Sequence, residues 1–197
     1  MIILASQSVA RRAMLNVAGV PHEAVPAHID EEGIMQSLLT EAASPEKIAD
    51  ALAELKAVKV SSQITAKLVL GADSIVVTQD GRCLAKPETR AHAESQLRDL
   101  SGTTHRLISA AVVAQDGQPV WRAGGVARLT MRPLSEAFIK TYLDTEGEAV
   151  LGCVGCYRIE GLGAQLFTKI EGDQFVIRGL PLLAFLGWLR DRGELMV

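Results

Sequence analysis

Apolar and polar positions along the chain alternate in blocks that predict an α/β order. Ile2 to Ala5 is a short apolar run, read as a buried strand; Ser6-Gln7-Ser8 then supplies capping hydroxyls, and Arg11 to Val17 has helical composition. Pro45 to Val60 places Ile48, Leu52, Leu55 and Lys56 at helical spacings and reads as an amphipathic helix. It feeds Leu68 to Val77, an apolar strand carrying a single carboxylate, Asp73. Gln79-Asp80-Gly81-Arg82 is a hairpin turn signal, His92 to Leu100 a second helix with Leu97 and Leu100 on one face, and Leu107 to Ala114 a returning strand.

The second half is richer in hairpins. Gln115-Asp116-Gly117 predicts another turn and Val126 to Met131 another strand, and Ser135 caps a helix running to Leu143. Leu166 to Ile170 and Gln174 to Ile177 read as strands, followed by Gly179-Leu180-Pro181 and an apolar terminal helix through Trp188 and Leu189. The sum is a mixed sheet with helices, without repeats, low-complexity tracts or a sharp domain boundary.

With 197 residues and 48% hydrophobic content, the chain is long enough to bury one good core, as a single domain or as two lobes sharing a sheet. No apolar stretch reaches the length a bilayer demands, and Met1 to Ala5 meets Ser6 and Gln7 too soon for a signal peptide, so a cytoplasmic protein without membrane partners is expected. Twenty Lys and Arg against 23 Asp and Glu give a net charge of −3, which disfavours nucleic acid as a partner. An anionic ligand must therefore be met by local basic clusters. Three cysteines leave one unpaired in any disulfide scheme, as suits a reduced compartment. Cys153 and Cys156 form a C-x-x-C without the second pair or histidine that zinc needs, so they read as small packing residues. His22, His28, His92 and His105 lack metal-ligand spacing, and no G-x-S-x-G elbow is present.

Burying a lone carboxylate costs more than the contacts of one strand return, so Asp73 is either hydrogen-bonded to backbone N–H groups or part of a functional site. Its segment alone supports both readings equally. Ser6 to Arg12, at a strand-to-helix junction, offers hydroxyls, N–H groups and guanidinium groups that suit a phosphate, and equally describes a capped helix with solvated arginines. The carboxylates of Glu31 and Asp73 could hold a hard divalent cation while Lys56, Lys86, Arg11 and Arg12 neutralise a polyphosphate, provided that they converge in space.

Taken in order, Leu4-Ala5-Ser6-Gln7-Ser8 with Arg11, Asp30-Glu31, Lys56-Ala57, Gly71-Ala72-Asp73-Ser74, Lys86-Pro87, Leu100-Ser101-Gly102, Tyr157-Arg158-Ile159-Glu160-Gly161 and Gly179-Leu180-Pro181 resemble the Maf family over nearly the whole chain. The resemblance implies an α/β fold like that of Maf and inosine triphosphatase proteins: a mixed, strongly curved sheet flanked by helices, with two lobes around a deep cleft, in one domain over 1–197. It also implies a nucleoside triphosphate pyrophosphatase that cuts between the α and β phosphates with Mg²⁺ or Mn²⁺ in a house-cleaning role, often as a homodimer. Carried onto matching positions, Asp73 is the proton acceptor, Glu31 and Asp73 take the metal, and Ser8, Arg11, Arg12, Lys56 and Lys86 serve the phosphates.

Three positions bear on the base. Val9 stands where the family usually has Pro, and Ala10 where one branch has Arg and another an aromatic residue. Ser74 replaces the Thr of the thymidine and uridine triphosphate branch, and Glu160 replaces its Gln. A glutamate accepts from the N1–H and 2-amino edge of guanine and favours a cationic methylated ring, and Cys153 and Gly155 also resemble the 7-methyl-GTP branch, so a modified guanine nucleotide is expected. The alternatives are a dTTP/UTP pyrophosphatase of the same family, or a nucleotide-binding regulator of septum formation without turnover.

Overall fold

A computed structural model describes residues 1–196. Chain order runs β1 (Ile2–Leu4), α1 (Val9–Val17), β2 (His22–Ala24), α2 (Glu31–Thr40), α3 (Pro45–Ser61), β3 (Val69–Val77), β4 (Cys83–Leu84), α4 (Arg90–Leu100), β5 (Thr104–Gln115), β6 (Gln118–Met131), α5 (Glu136–Glu146), β7 (Phe167–Glu171), α6 (Gln174–Ile177) and α7 (Leu182–Asp191). The seven strands make one mixed sheet in the order β2-β1-β3-β5-β6-β7, with β4 pairing β3. β1 runs parallel to both β2 and β3, whereas the β3–β4 and β6–β7 pairs are antiparallel. The α/β class with a mixed sheet and helices is thus as expected.

The chain divides into two compact units. The first comprises Met1–Ser74, Ser109–Gly125 and Asp173–Val197, and the second Ile75–Ile108 and Val126–Gly172. In the first unit β1 is buried on both faces, which is why it reads as an unbroken apolar run. Ile2 and Leu4 join Leu70, Ala72, Met14, Leu15, Ala111, Val113, Leu180, Phe185 and Leu189 in one core, while Ile3, Ala5, Val69 and Val60 pack on the opposite face. The period-2 pleat therefore assigns the next two residues of β3 as well. Asp73 shares a face with Val69 and Gly71, and Ser74 shares one with Leu70 and Ala72.

Several elements differ from their sequence reading. Leu55 does not belong to the buried stripe of α3: it is exposed, and the stripe is made of Ile48, Ala49, Leu52, Ala53, Lys56, Ala57 and Val60. Small residues lie inside because β3 comes so near. A Cβ on Gly71 would stand 2.7 Å from the Ala57 nitrogen, and closer still to the Ala53 carbonyl oxygen. Gln174 to Ile177 is a helical turn rather than a strand. Asp173 caps it by accepting from the Phe175 N–H at 2.8 Å, and Gly179 with φ +97 leads the chain out. A four-residue apolar run carries too few periods to distinguish the two. β6 starts at Gln118, since its first half alternates among exposed residues and contains Gly124 and Gly125. β2 and α2 were not expected from the sequence at all.

In the second unit Thr89 and Ser135 cap α4 and α5. Two 3₁₀ turns, Gly147–Gly152 and Leu162–Leu166, flank the segment that carries Tyr157 to Gly161. Tyr157 is buried against His105 and Phe167, its ring meeting Phe167 edge-on at 4.9 Å between centroids.

Candidate active site

The site of the first unit begins where β1 stops. The last β1–β3 pair is Leu4 with Leu70, so β3 runs past the carboxyl end of its neighbour before it reaches Asp73 and Ser74. Ends of parallel strands in α/β sheets are where ligands settle, because the loops and helix starts gather there. Here the gathered chain is Ser6 to Arg11.

On one face, Asp73 and Lys56 are both buried, at 5% exposure each. The Lys56 ammonium lies 2.5 Å from Asp73 Oδ1 and 2.7 Å from Glu31 Oε1, bridging the two carboxylates. α3 delivers Lys56 because its Ala53–Ala57 edge rests on Gly71, two residues before Asp73 on the same face. α2 delivers Glu31 at its first position, where Asp30 caps the helix by accepting from the Gly33 N–H at 2.9 Å. Lys59, three residues beyond Lys56 and so on nearly the same side of α3, donates to the His28 carbonyl at 2.6 Å and pins the approach to α2. Asp30-Glu31-Glu32 is thus a capped helix start, with Glu31 turned to Lys56. Asp73 is not a lone carboxylate but part of an ion-paired trio of two carboxylates and one ammonium. Removing one partner from such a pair costs about 3–5 kcal/mol, since the remaining charge stays buried.

On the other face, Ser74 meets Arg11. Ser8 caps α1, accepting from the Arg11 N–H at 3.3 Å, and the Ser8 N–H donates to Ser6 Oγ at 3.2 Å. The Arg11 side chain is buried and turns back under the cap. It donates from Nε to the Gly179 carbonyl at 2.7 Å, from Nη1 to Ser6 Oγ at 3.2 Å and from Nη2 to Ser74 Oγ at 3.2 Å. A guanidinium suits this task, because its planar fork serves several acceptors at once. Ser74 Oγ also lies 2.8 Å from Ser109 Oγ, and Ser109 donates to the Val176 carbonyl at 2.8 Å. Arg12 points outward and is exposed, and Ala10 is half-buried.

Lys86 and Glu160 belong to the second unit. Glu160 Oε1 lies 3.8 Å from Arg158 Nε, and Arg158 also donates to Glu146 at 3.2 Å. Glu146 accepts from the Leu162 N–H at 2.8 Å, which fixes the segment bearing Glu160. Burial raises the Cys153 thiol above its ordinary pKa, and the charge of Glu160 adds to this while Arg158 and Lys86 oppose it. These four residues are therefore electrostatic neighbours. Cys156 is buried, donates to Gln96 Oε1 at 3.1 Å, and has its pKa pushed up to about 12 by burial. Gln96 donates in turn to the Ala85 carbonyl at 2.9 Å, so the C-x-x-C segment is tied to the chain just before Lys86. Cys156 serves packing, and none of the three cysteines forms a disulfide.

The sequence-expected residues fall into three groups: Glu31, Lys56 and Asp73 together; Ser8, Arg11 and Ser74 together; Lys86 and Glu160 in the second unit. Gly71, Ser109 and Glu146 were not singled out. Ser109 had the same signal as Asp73, a polar residue alone in an apolar strand.

No group of three or more His, Cys, Asp or Glu side chains among the described residues could hold a metal ion. Two carboxylates still fit Mg²⁺, which is commonly held by one or two of them together with phosphate oxygens and water. An ammonium already seated between Glu31 and Asp73 shows that the pair attracts a cation. No helix among the described residues is long and apolar enough to cross a membrane.

A mixed α/β sheet with a carboxylate–lysine trio at a strand end places the chain among α/β proteins, and sequence comparison makes the class specific. The profile of the Maf-like protein family matches residues 1–192, and the chain belongs to that family. A protein of Sphingopyxis alaskensis named nucleoside triphosphate pyrophosphatase is 51% identical over 192 residues, covering 98% of this chain and 97% of its own. The nucleoside triphosphate pyrophosphatase 1 of Jannaschia sp. is 52% identical, covering 98% and 96%. A Rhizobium etli protein named 7-methyl-GTP pyrophosphatase is 47% identical, covering 98% and 97%.

Proposed function

We propose that this protein is a hydrolase, a nucleoside triphosphate pyrophosphatase that releases a nucleoside monophosphate and pyrophosphate. The observation that carries this reading is the Glu31–Lys56–Asp73 trio, which brings two carboxylates and an ammonium together in one place, with Lys56 and Asp73 buried. The relatives named as pyrophosphatases support it over almost the full length of the chain. The family match runs through both units, which supports one Maf-like domain with two lobes over 1–197.

Water attacks the α phosphorus, the bond from that phosphorus to the oxygen bridging to the β phosphate breaks, and pyrophosphate leaves with the bridging oxygen. Asp73 accepts the proton of the attacking water. Its ion pair with Lys56 uses Oδ1, so Oδ2 is the oxygen assigned to that proton. Lys56 offsets negative charge developing on the phosphates, as do Arg12 and Lys86 nearer solvent, while Ser8 and Arg11 shape the first turn of α1 toward the anion. Mg²⁺ or Mn²⁺ would be held by Glu31 and Asp73, and would there supply a lowered pKa for bound water and neutralisation of phosphate charge.

For the base, Ala10, Ser74 and Glu160 are the specificity positions, and Glu160 favours a modified guanine nucleotide such as 7-methyl-GTP. The Rhizobium etli relative supports that choice. The test is pyrophosphate release from ordinary and modified nucleoside triphosphates with Mg²⁺ or Mn²⁺, by the wild type, Asp73→Asn and Glu160→Gln. Asp73→Asn keeps an acceptor oxygen for Lys56, so it folds and loses turnover; full turnover in this variant would defeat the mechanism. Glu160→Gln moves preference from guanine toward pyrimidine substrates. Tight binding without hydrolysis, whatever the metal or base, would instead favour the septum-regulator reading.

A further inference from the structure

We infer that Ser109 is a positioning residue that makes Ser74 a pure hydrogen-bond acceptor toward the substrate. The argument is one of counting protons. A serine hydroxyl has one hydrogen and two lone pairs. Ser109 is fully buried on β5, and its hydrogen goes to the Val176 carbonyl, 2.8 Å away. Distance alone allows either serine to donate across the 2.8 Å Ser74–Ser109 contact, but Ser109 has no second hydrogen, so Ser74 donates and Ser109 accepts. Arg11 Nη2 can only donate, so Ser74 accepts from it at 3.2 Å. The chain therefore runs one way, from Arg11 to Ser74 to Ser109 to the Val176 carbonyl.

One lone pair remains on Ser74, a half-buried hydroxyl between a buried arginine and a buried serine. Resting on the proposal that Ser74 reads the base, this polarity selects a base N–H or amino group there and rejects a carbonyl or an unprotonated ring nitrogen. For Ser74 to turn its hydrogen outward, two oxygens 2.8 Å apart would face each other unbonded, or Ser109 would have to release Val176 inside the core. Sites built to hydrogen-bond one polarity discriminate strongly, because the wrong partner leaves a group unpaired.

UTP against CTP, and inosine triphosphate against ATP, present opposite donor and acceptor polarity at both neighbouring edge atoms, N3 and the 4-substituent of the pyrimidines and N1 and the 6-substituent of the purines, so the test covers Ser74 meeting either of the two. We would measure kcat/KM for pyrophosphate release within each pair, and in parallel the Kd of the corresponding α,β-methylene analogues. The wild type discriminates within at least one pair. Ser109→Ala frees the Ser74 hydrogen and draws that ratio toward unity by about five-fold, through KM and Kd. Ser74→Ala does the same, and Ser109→Ala added to Ser74→Ala changes nothing further. If Ser109→Ala fails to fold, Ser109→Cys fills the space with a poor acceptor and reads the same ratio. A wild type indifferent within both pairs, a lowered melting temperature with unchanged ratios, or an effect that persists without Ser74 would each overturn the inference. Collapse of the Kd ratio without any turnover would leave it standing and defeat the hydrolase reading instead.

Discussion

Gly71 is where packing and chemistry meet, and replacing it by alanine tests both. An alanine Cβ there would lie 2.7 Å from the Ala57 nitrogen and 3.0 Å from its Cβ, with the Ala53 carbonyl oxygen nearer still, whereas ordinary contact begins at 3.4 Å. Backbone rather than a flexible side-chain tip stands in the way, so α3 has to retreat from β3 by roughly 1 Å to regain contact distance. Overpacking of this kind costs about 1–3 kcal/mol. For a chain of this length that lowers the melting temperature by roughly 3–10 °C. Lys56 adjoins Ala57 and moves with it, so its 2.5 Å bond to Asp73 stretches toward the limit of hydrogen bonding. A misplacement of about 1 Å among reacting groups reduces turnover by about a hundred-fold. The assay pairs a calorimetric melt with pyrophosphate-release kcat at saturating nucleotide. Gly187→Ala in α7 is the control: its Cβ meets nothing within 4 Å, and the change stabilises by about 0.5–1 kcal/mol. A Gly71→Ala protein with wild-type melting and wild-type kcat would refute the claim that this contact sets the Lys56–Asp73 geometry.

Lys56→Met removes the charge between Glu31 and Asp73 and lowers stability by about 3 kcal/mol, measured by urea denaturation; Mg²⁺ restores more of the melting temperature in the variant than in the wild type if the two carboxylates hold a cation. A variant indifferent to Mg²⁺ would count against them as ligands. His105 is buried, and burial lowers its pKa from 6.5 to about 4. Above pH 6.5 both folded and unfolded chains hold it neutral, and its contribution is complete; below that the unfolded chain takes up a proton that the folded chain refuses. Stability therefore falls between about pH 6.5 and 4, by about 3 kcal/mol from this residue. His105→Asn flattens that slope in urea midpoints measured across the interval, and an unchanged slope would refute the assignment.

How much of this was legible in the sequence follows from what each residue costs to bury. Asp73 was conspicuous because a carboxylate in an apolar strand is expensive. Ser109 sits one strand further along with the same pattern, yet a hydroxyl is cheap to bury and was passed over. Lys56 was counted on the buried side of its helix, but so was Leu55, because apolar periodicity gives weight to large side chains. The actual stripe is written in alanines and answers a glycine on another element, a match that no single segment displays. Asp30-Glu31-Glu32 already had the form of a capped helix start with acidic residues in the first turn, yet the apolar pattern that marks helices is weak after it and α2 was not expected. The cation trio needed α2 as well as α3, so its convergence could be required by the chemistry but not read from spacing.

The pleat of β3 explains why adjacent residues can hold separate duties. Asp73 and Ser74 are neighbours in sequence, yet their side chains leave opposite faces of the strand, one toward α3 and Glu31, the other toward Arg11 and Ser109. A helix would have fanned them out by about a quarter turn and left both in one crowd. Because β1 ends opposite Leu70, neither face is closed by a neighbouring strand on that side at the point where the two residues emerge. A one-residue slip of β3 would turn the carboxylate to the face of the serine–arginine chain and the hydroxyl to the face of the lysine. The register is therefore held from both sides, by Val69 and Gly71 against the helix face and by Leu70 and Ala72 in the larger core. What specifies the fold at this strand is also what keeps apart the two roles proposed for Asp73 and Ser74.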